Sequence, residues 1–228
     1  QHITKMANRE IMVIGRDILF KDFTFQGFSP HGKYDFESII LANSQYIKRE
    51  KAEINFEFKQ PIAYTAIINL DDRKIFAYTR SKQDKNYKEK RFQGKFSIGL
   101  GGHIDKKDNN ESNPIKASRD RELKEEVRIL GYSEEPQLLG YINDDSNDVG
   151  KVHFGLLYYL PTDARTISPL DKEIEKCKFY NYKRLENMIN NHDNEDRANH
   201  SFKLQNVEGW TKIAIKPIAD LLNHVGTF

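Results

Sequence analysis

The stretch GLGGHIDKKDNNESNPIKASRDRELKEEVRI (99–129) decides how the chain is read. It begins as the apolar run FSIGL (96–100) meets Gly101-Gly102, and a helical pattern runs from Pro114 to about Ile129. Proline suits a first helical turn. The paired glycine makes an ordinary strand-to-loop turn, or lets backbone carbonyls approach a ligand or metal. On the helix, Glu122, Glu125 and Glu126 stand at i, i+3 and i+4 and so share a face. Three carboxylates this close repel one another, and Arg121 and Lys124 offset this only in part. Such a face is either solvated or holds a divalent cation. Mg²⁺ suits it, because Mg²⁺ prefers carboxylate oxygens and keeps several waters. Leu123, Val127 and Leu130 form an adjacent apolar stripe, which is expected to seat the helix against a sheet.

Outward from this segment, strands and helices intersperse. Upstream, IMVIGRDILF (11–20) reads as a strand, 35–50 as a helix with Phe36, Ile39, Ile40 and Ile47 at helical spacing, and INFEF (54–58) as a strand. The runs 62–70 and 74–80 flank Asp71-Asp72-Arg73 and read as a hairpin. A polar, basic loop follows over 81–95. Downstream, QLLGYIN (137–143) and KVHFGLLYYL (151–160) read as strands, 161–173 as a loop, KFYNY as a last strand and 183–191 as a short helix. An amphipathic helix with a bend at Pro217 closes the chain. This order implies a mixed α/β layered domain rather than a bundle or a sandwich of sheets.

Composition narrows the function classes. The chain has 228 residues, with Lys+Arg 36, Asp+Glu 34 and net charge +2. That length favours one large domain with a real core. Balanced charge argues against a general nucleic-acid binder. At 11% aromatic residues the chain does not resemble a disordered one. The lone Cys177 excludes an internal disulfide framework and a Cys-rich zinc site. Neither an apolar run of ~20 residues nor a signal core is read, so a soluble, cytoplasmic protein with no membrane partner is expected.

Gly102, a loop and Arg121-Glu122-Leu123-Lys124-Glu125-Glu126 resemble the Nudix box, whose form is G, five residues, E, seven residues, then R-E-U-x-E-E-x-G-U with U a bulky aliphatic residue. Ile129 fills the last aliphatic position. Arg128 stands in place of the glycine, and the loop before Arg121 is about five residues longer than the pattern. Asn113 therefore stands eight residues before Arg121, where the first box glutamate is expected, with Glu111 nearby as its substitute. The resemblance extends to KQPIAY after Arg49-x-x-x-Glu53, to RFQGKFSIGLGGHID, to GYINDDSNDVGKVHFG (140–155) and to VEGWT (207–211), all similar to one branch of Nudix-like proteins.

The resemblance implies an α/β fold, a Nudix-like α/β/α sandwich with a mixed β-sheet, over 1–228 as a single domain. This has an N-terminal extension (about 1–60), the box (102–129) and a C-terminal helix (about 208–225). It implies a pyrophosphohydrolase that cleaves a nucleoside-diphosphate-linked small molecule with Mg²⁺ or Mn²⁺. Metal ligands would be the Gly102 carbonyl, Glu122, Glu125 and Glu126, with Arg121 holding the glutamates through an ion pair. The family commonly forms homodimers. Two other readings stand: a non-catalytic nucleotide-binding regulator, and an isomerase of the isopentenyl-diphosphate type, which Cys177 does not fit.

Candidates outside the box are less determinate. Arg49 and Glu53 are either substrate-side or an ion pair. Arg80 opens the basic stretch that continues through Lys82, Lys85, Lys88, Lys90, Arg91 and Lys95, a solvated loop or a phosphate attractor. His103 follows Gly102 and is a loop contact or a functional group. Glu173, Glu175 and Glu208 are candidates to complete the site or solvated residues. His153 reads as a satisfied strand histidine, Asp144, Asp145 and Asp148 as turn chemistry, and Cys177 as a small buried hydrophobe.

Overall fold

The computed structural model describes residues 9–81, 94–110, 112–190 and 206–224. The described strands are β1 (Glu10–Gly15), β2 (Gly27–Pro30), β3 (Gln45–Lys48), β4 (Phe58–Asn69), β5 (Lys74–Arg80), β6 (Phe96–Ser97), β7 (Gly99–Leu100), β8 (Val127–Ile129), β9 (Gln137–Asn143), β10 (His153–Thr162), β11 (Ile167–Pro169) and β12 (Ile174–Asn181). With the helices they make a mixed α/β fold with one large sheet. By contacts the chain falls into two compact units: Gln1–Tyr64 with Gly101–Glu122 and Leu138–Tyr158, and Thr65–Leu100 with Leu123–Gln137 and Tyr159–Phe228.

In the first unit, β1 pairs antiparallel with β3, Ile11 opposite Ile47, and its end pairs with the start of β4, Ile14 opposite Lys59. β2 pairs antiparallel with β9, Phe28 opposite Ile142. The core gathers Met12, Ile14, Phe36, Ile40, Ile104, Ile115, Tyr141, Phe154 and Leu156. Each such side chain contributes roughly 1.5–3 kcal/mol on burial. The Phe36 ring packs 5.1 Å from Tyr141 and 5.3 Å from Phe154.

Three sequence expectations change here. The strand read over 11–20 ends at Gly15, and Arg16–Leu19 turns helical to bury Leu19. The helix read over 35–50 spans only Phe36–Asn43, started by the Asp35 carboxylate accepting from the Ser38 N–H at 3.1 Å. Gln45–Lys48 instead joins the sheet beside β1, so tertiary pairing overrides the helical spacing of Ile47. INFEF is mostly turn. Ile54 is 79% exposed, and the strand begins only at Phe58.

In the second unit, β5 lies between β12 and the end of β4. The expected hairpin is present, Ile68 opposite Ile75, with Arg73 in the left-handed region at the turn. FSIGL divides: β6 pairs with β5 and β7 with β4, on either side of Ile98. The box helix spans Pro114–Glu126, shorter than read. Val127–Ile129 then pairs with β11, a strand within the segment read as a loop. Val127 is buried and Leu123 packs on the same core, but Leu130 is 52% exposed, so the expected stripe loses its third member. Cys177 is half-buried rather than buried and packs on that core.

The strand read over 151–160 spans His153–Thr162, with Asp148–Val152 forming a helical turn before it. The last strand begins at Ile174, and the short helix is Tyr182–Asn190. The closing helix, Gly209–His224, contains Pro217 as expected. Of the basic stretch, Lys82, Lys85, Lys88, Lys90 and Arg91 lie outside the described residues. Among the described residues no helix is long and apolar enough to cross a membrane.

Candidate active site

The loop that opens the box is zipped into the first unit. Met12 N–H donates to the Ile104 carbonyl at 2.8 Å, and bridges join Ile11 to Asp105 and Ile62 to His103. Gly101 has φ +149°, and a Cβ there would lie 2.0 Å from the Ala63 carbonyl oxygen. Only glycine fits that approach. At Gly102 a Cβ would lie 2.7 Å from a Glu122 carboxylate oxygen, so the glycine backbone and the first helix glutamate share one small space.

Arg121 is the hub. Its Nε donates to Asp108 Oδ1 at 3.0 Å and its Nη2 to Asp108 Oδ2 at 2.9 Å, a two-pronged pair. Nη1 donates to Glu122 Oε1, and Nη2 also reaches the His103 carbonyl oxygen at 3.3 Å. Asp108 is buried, at 6% exposure. Burial alone would raise its carboxyl, but hydrogen bonds from Arg121 and the Asp105 N–H, with the Arg121 charge, hold it below its ordinary value. Burial, aided by the Asp108 and Asp105 charges, pushes the Tyr46 phenol up to about 12.

Asp108 corrects the expectation about the missing glutamate. Counted forward from Gly102, it falls after five residues, where the box has its first acidic residue, and the extra residues follow it. Counting backward from Arg121 led to Asn113 instead. Asn113 begins the helix, its side-chain oxygen accepting from the Ile115 and Lys116 N–H groups at 3.0 and 3.1 Å. Glu111 lies outside the described residues. On the helix, Glu122 and Glu126 are half-buried and Glu125 is exposed.

Other candidates sort by unit. In the first, Arg49 Nε donates to Glu53 Oε1 at 3.2 Å, and Glu53 Oε1 lies 3.6 Å from His103 Nε2. His103 Nε2 is 2.7 Å from Gln60 Oε1 and 3.3 Å from His153 Nε2. His153 is a buried, satisfied strand histidine as expected, with Nδ1 2.7 Å from the Val149 carbonyl oxygen, and it also faces His103. Asp145 does more than turn chemistry. Arg16 donates to it, and the fully buried Lys59 does so at 2.8 Å. Burial opposes its ionisation, but hydrogen bonds from Arg16, Lys59 and Gln26 hold its carboxyl far below the usual range.

In the second unit, Glu208 is not solvated but 4% exposed, bonded by Arg80 and by Ser97 Oγ at 2.8 Å. Glu175 is half-buried and accepts from Ser81 Oγ at 2.7 Å.

A fold of this kind with a glycine turn and an arginine-anchored R-E-L-x-E-E helix defines a Nudix protein. The chain belongs to the Nudix superfamily, in one family with Protein YmaB of Bacillus subtilis. It is 37% identical to that protein over 154 residues, covering 64% of this chain and 72% of the relative. The crystal structure of Tm1382, described as a candidate Nudix hydrolase, superposes with a TM-score of 0.69 at 25% identity, over 94% of this chain and 99% of that one. No family model matches the chain.

Proposed function

We propose that the chain is a metal-dependent pyrophosphohydrolase that cleaves a diphosphate bond in a nucleoside-diphosphate-linked or related small molecule. The observation that carries this is the completed box: Asp108 holds Arg121, Arg121 holds Glu122, and Glu122 lies against Gly102. The donor set fits Mg²⁺ or Mn²⁺, since a glycine carbonyl and carboxylates are hard oxygen ligands. Gly102, Glu122, Glu125 and Glu126 would hold the ion. When bound, it lowers the pKa of a water and neutralises charge on the phosphoryl oxygens. Arg121 keeps the Glu122 carboxylate fixed, so little reorganisation is needed as charge develops. A carboxylate takes the proton of the attacking water, and the box glutamates supply candidates.

Arg49, Glu53 and His103 in the first unit, and Arg80, Glu175 and Glu208 in the second, are each candidates for substrate contact. The burial and pairing of Glu208 favour a supporting role for it over direct contact. The reading includes a cytoplasmic, homodimeric enzyme acting on small molecules rather than on nucleic acid or membranes. The regulator alternative drew on a missing first acidic residue, and Asp108 removes that ground.

The test is a hydrolysis screen over ADP-ribose, nucleoside triphosphates, dinucleoside polyphosphates and nucleotide sugars. At least one should yield phosphate-containing products with Mg²⁺ or Mn²⁺ and none after chelation. Silence across the panel together with tight nucleotide binding would return the regulator to first place.

A further inference from the structure

Glu53, His103 and His153 come from separate parts of the sequence and meet within the first unit. Their ligand atoms all lie within 4.8 Å of one another. His153 Nδ1 is 2.7 Å from the Val149 carbonyl oxygen. A carbonyl only accepts, so the contact places a proton on Nδ1 and turns the Nε2 lone pair of the neutral ring toward His103. Histidines that bind metals are commonly fixed by such a bond on the other nitrogen.

The spacing fits a cation. Zinc–nitrogen and zinc–oxygen bonds of about 2.0–2.2 Å at tetrahedral angles put neighbouring ligand atoms roughly 3.3–3.6 Å apart. The observed separations are 3.3 Å between the two Nε2 atoms and 3.6 Å from His103 Nε2 to Glu53 Oε1. Gln60 is fully buried beside the cluster: its Oε1 accepts from His103 Nε2 at 2.7 Å, a proton that an ion would displace, and its Nε2 lacks a hydrogen-bond partner among the described residues. The Arg49 contact with Glu53 does not exclude an ion, because a carboxylate has about four lone-pair sites.

The surroundings hold these groups in place. Lys59 Nζ donates to the carbonyls of Gly150 at 2.7 Å and His153 at 3.2 Å, so the turn bearing His153 is pinned. The His103 carbonyl accepts from Ser118 Oγ at 3.3 Å as well as from Arg121.

We infer that Glu53, His103 and His153 form a binding site for a borderline transition metal such as Zn²⁺, separate in its ligands from the carboxylate set of the box. Two imidazoles and one carboxylate suit zinc far better than magnesium. The ion would tie residue 103, next to the metal-facing Gly102, to residues 53 and 153. The site depends on no step of the proposed hydrolysis.

The full-length protein is stripped with a chelator, loaded with Zn²⁺, passed through a desalting column and analysed for zinc per chain. Wild type should retain about one zinc, and His103→Ala and His153→Gln should each retain at least ~10-fold less, the scale for losing a ligand or its support. The partly exposed Glu53→Gln serves as a milder variant, and circular dichroism establishes that each variant is folded. Co²⁺ loaded in place of zinc should give tetrahedral absorption bands in wild type that are absent in the folded His153→Gln. The box variant Glu125→Gln, Glu126→Gln should keep its zinc. Failure of wild type to retain zinc, full retention by folded His103→Ala and Glu53→Gln, or loss of zinc in the box variant would each overturn the site. A protein that hydrolyses nothing yet passes this test would remove only the enzyme reading.

Discussion

The box and the histidine cluster both draw on the loop after Gly101, yet they organise charge in opposite ways. At the box, carboxylates are drawn together by one arginine: Asp108 and Glu122 both accept from Arg121. At the cluster, two imidazoles face each other, and the protonation of His153 is set by a backbone carbonyl. The first arrangement offers hard oxygens and the second offers nitrogens. The comparison teaches that one loop can present two kinds of donor set, provided each has its own support.

The strongest way to break both regions at once is Gly101→Ala. The new Cβ would meet the Ala63 carbonyl at 2.0 Å in a backbone conformation foreign to alanine. A loss of more than about 3 kcal/mol in denaturant unfolding is expected, among the larger effects of a single substitution.

Asp145→Asn separates the two regions. It leaves the fully buried Lys59 facing a neutral group and should cost roughly 3 kcal/mol, with weakened zinc retention. The pH dependence follows from the same carboxylate. Its folded pKa lies below the unfolded one, so its contribution is complete above the unfolded pKa of about 4 and is lost as pH falls toward the folded value. Wild type should lose stability in this acid range, and Asp145→Asn should show less of that loss in melts run at falling pH.

Asp108→Asn acts on the box alone. Its side chain can no longer accept twice from Arg121 as an ion, and hydrolysis should fall ~10–100-fold, the usual scale for a residue that orients ligands. Zinc retention should be unchanged. The smallest expected effect is that of Glu111→Gln, with a rate within about twofold of wild type, because Asp108 already holds Arg121. A large loss there would transfer the Asp108 role back to Glu111.

What could be read in the sequence follows the distance over which each feature is encoded. The acidic helix face is local, carried by spacings of three and four residues, and the box pattern around it led directly to the fold. Asp108 was legible too, but only by counting forward from Gly102, because the insertion lies between it and Arg121. Its identity as aspartate rather than glutamate hid it further.

Glu53, Gln60, His103 and His153 share no periodicity, and only the sheet brings them together. Helical spacing misled at Ile47, where pairing with β1 competes with local propensity. For Glu208 the sequence leaves two readings open, a site residue or a solvated one. Its burial depends on Arg80 and Ser97, which lie more than a hundred residues earlier.

The central claim is that the box glutamates hold the ion for hydrolysis, and one comparison tests it most directly. Wild type and the Glu125→Gln, Glu126→Gln double variant are assayed side by side on the best substrate at saturating Mg²⁺, with folding matched by circular dichroism. The account predicts a loss of at least ~10²-fold in the variant. A double variant that turns over at the wild-type rate would contradict it.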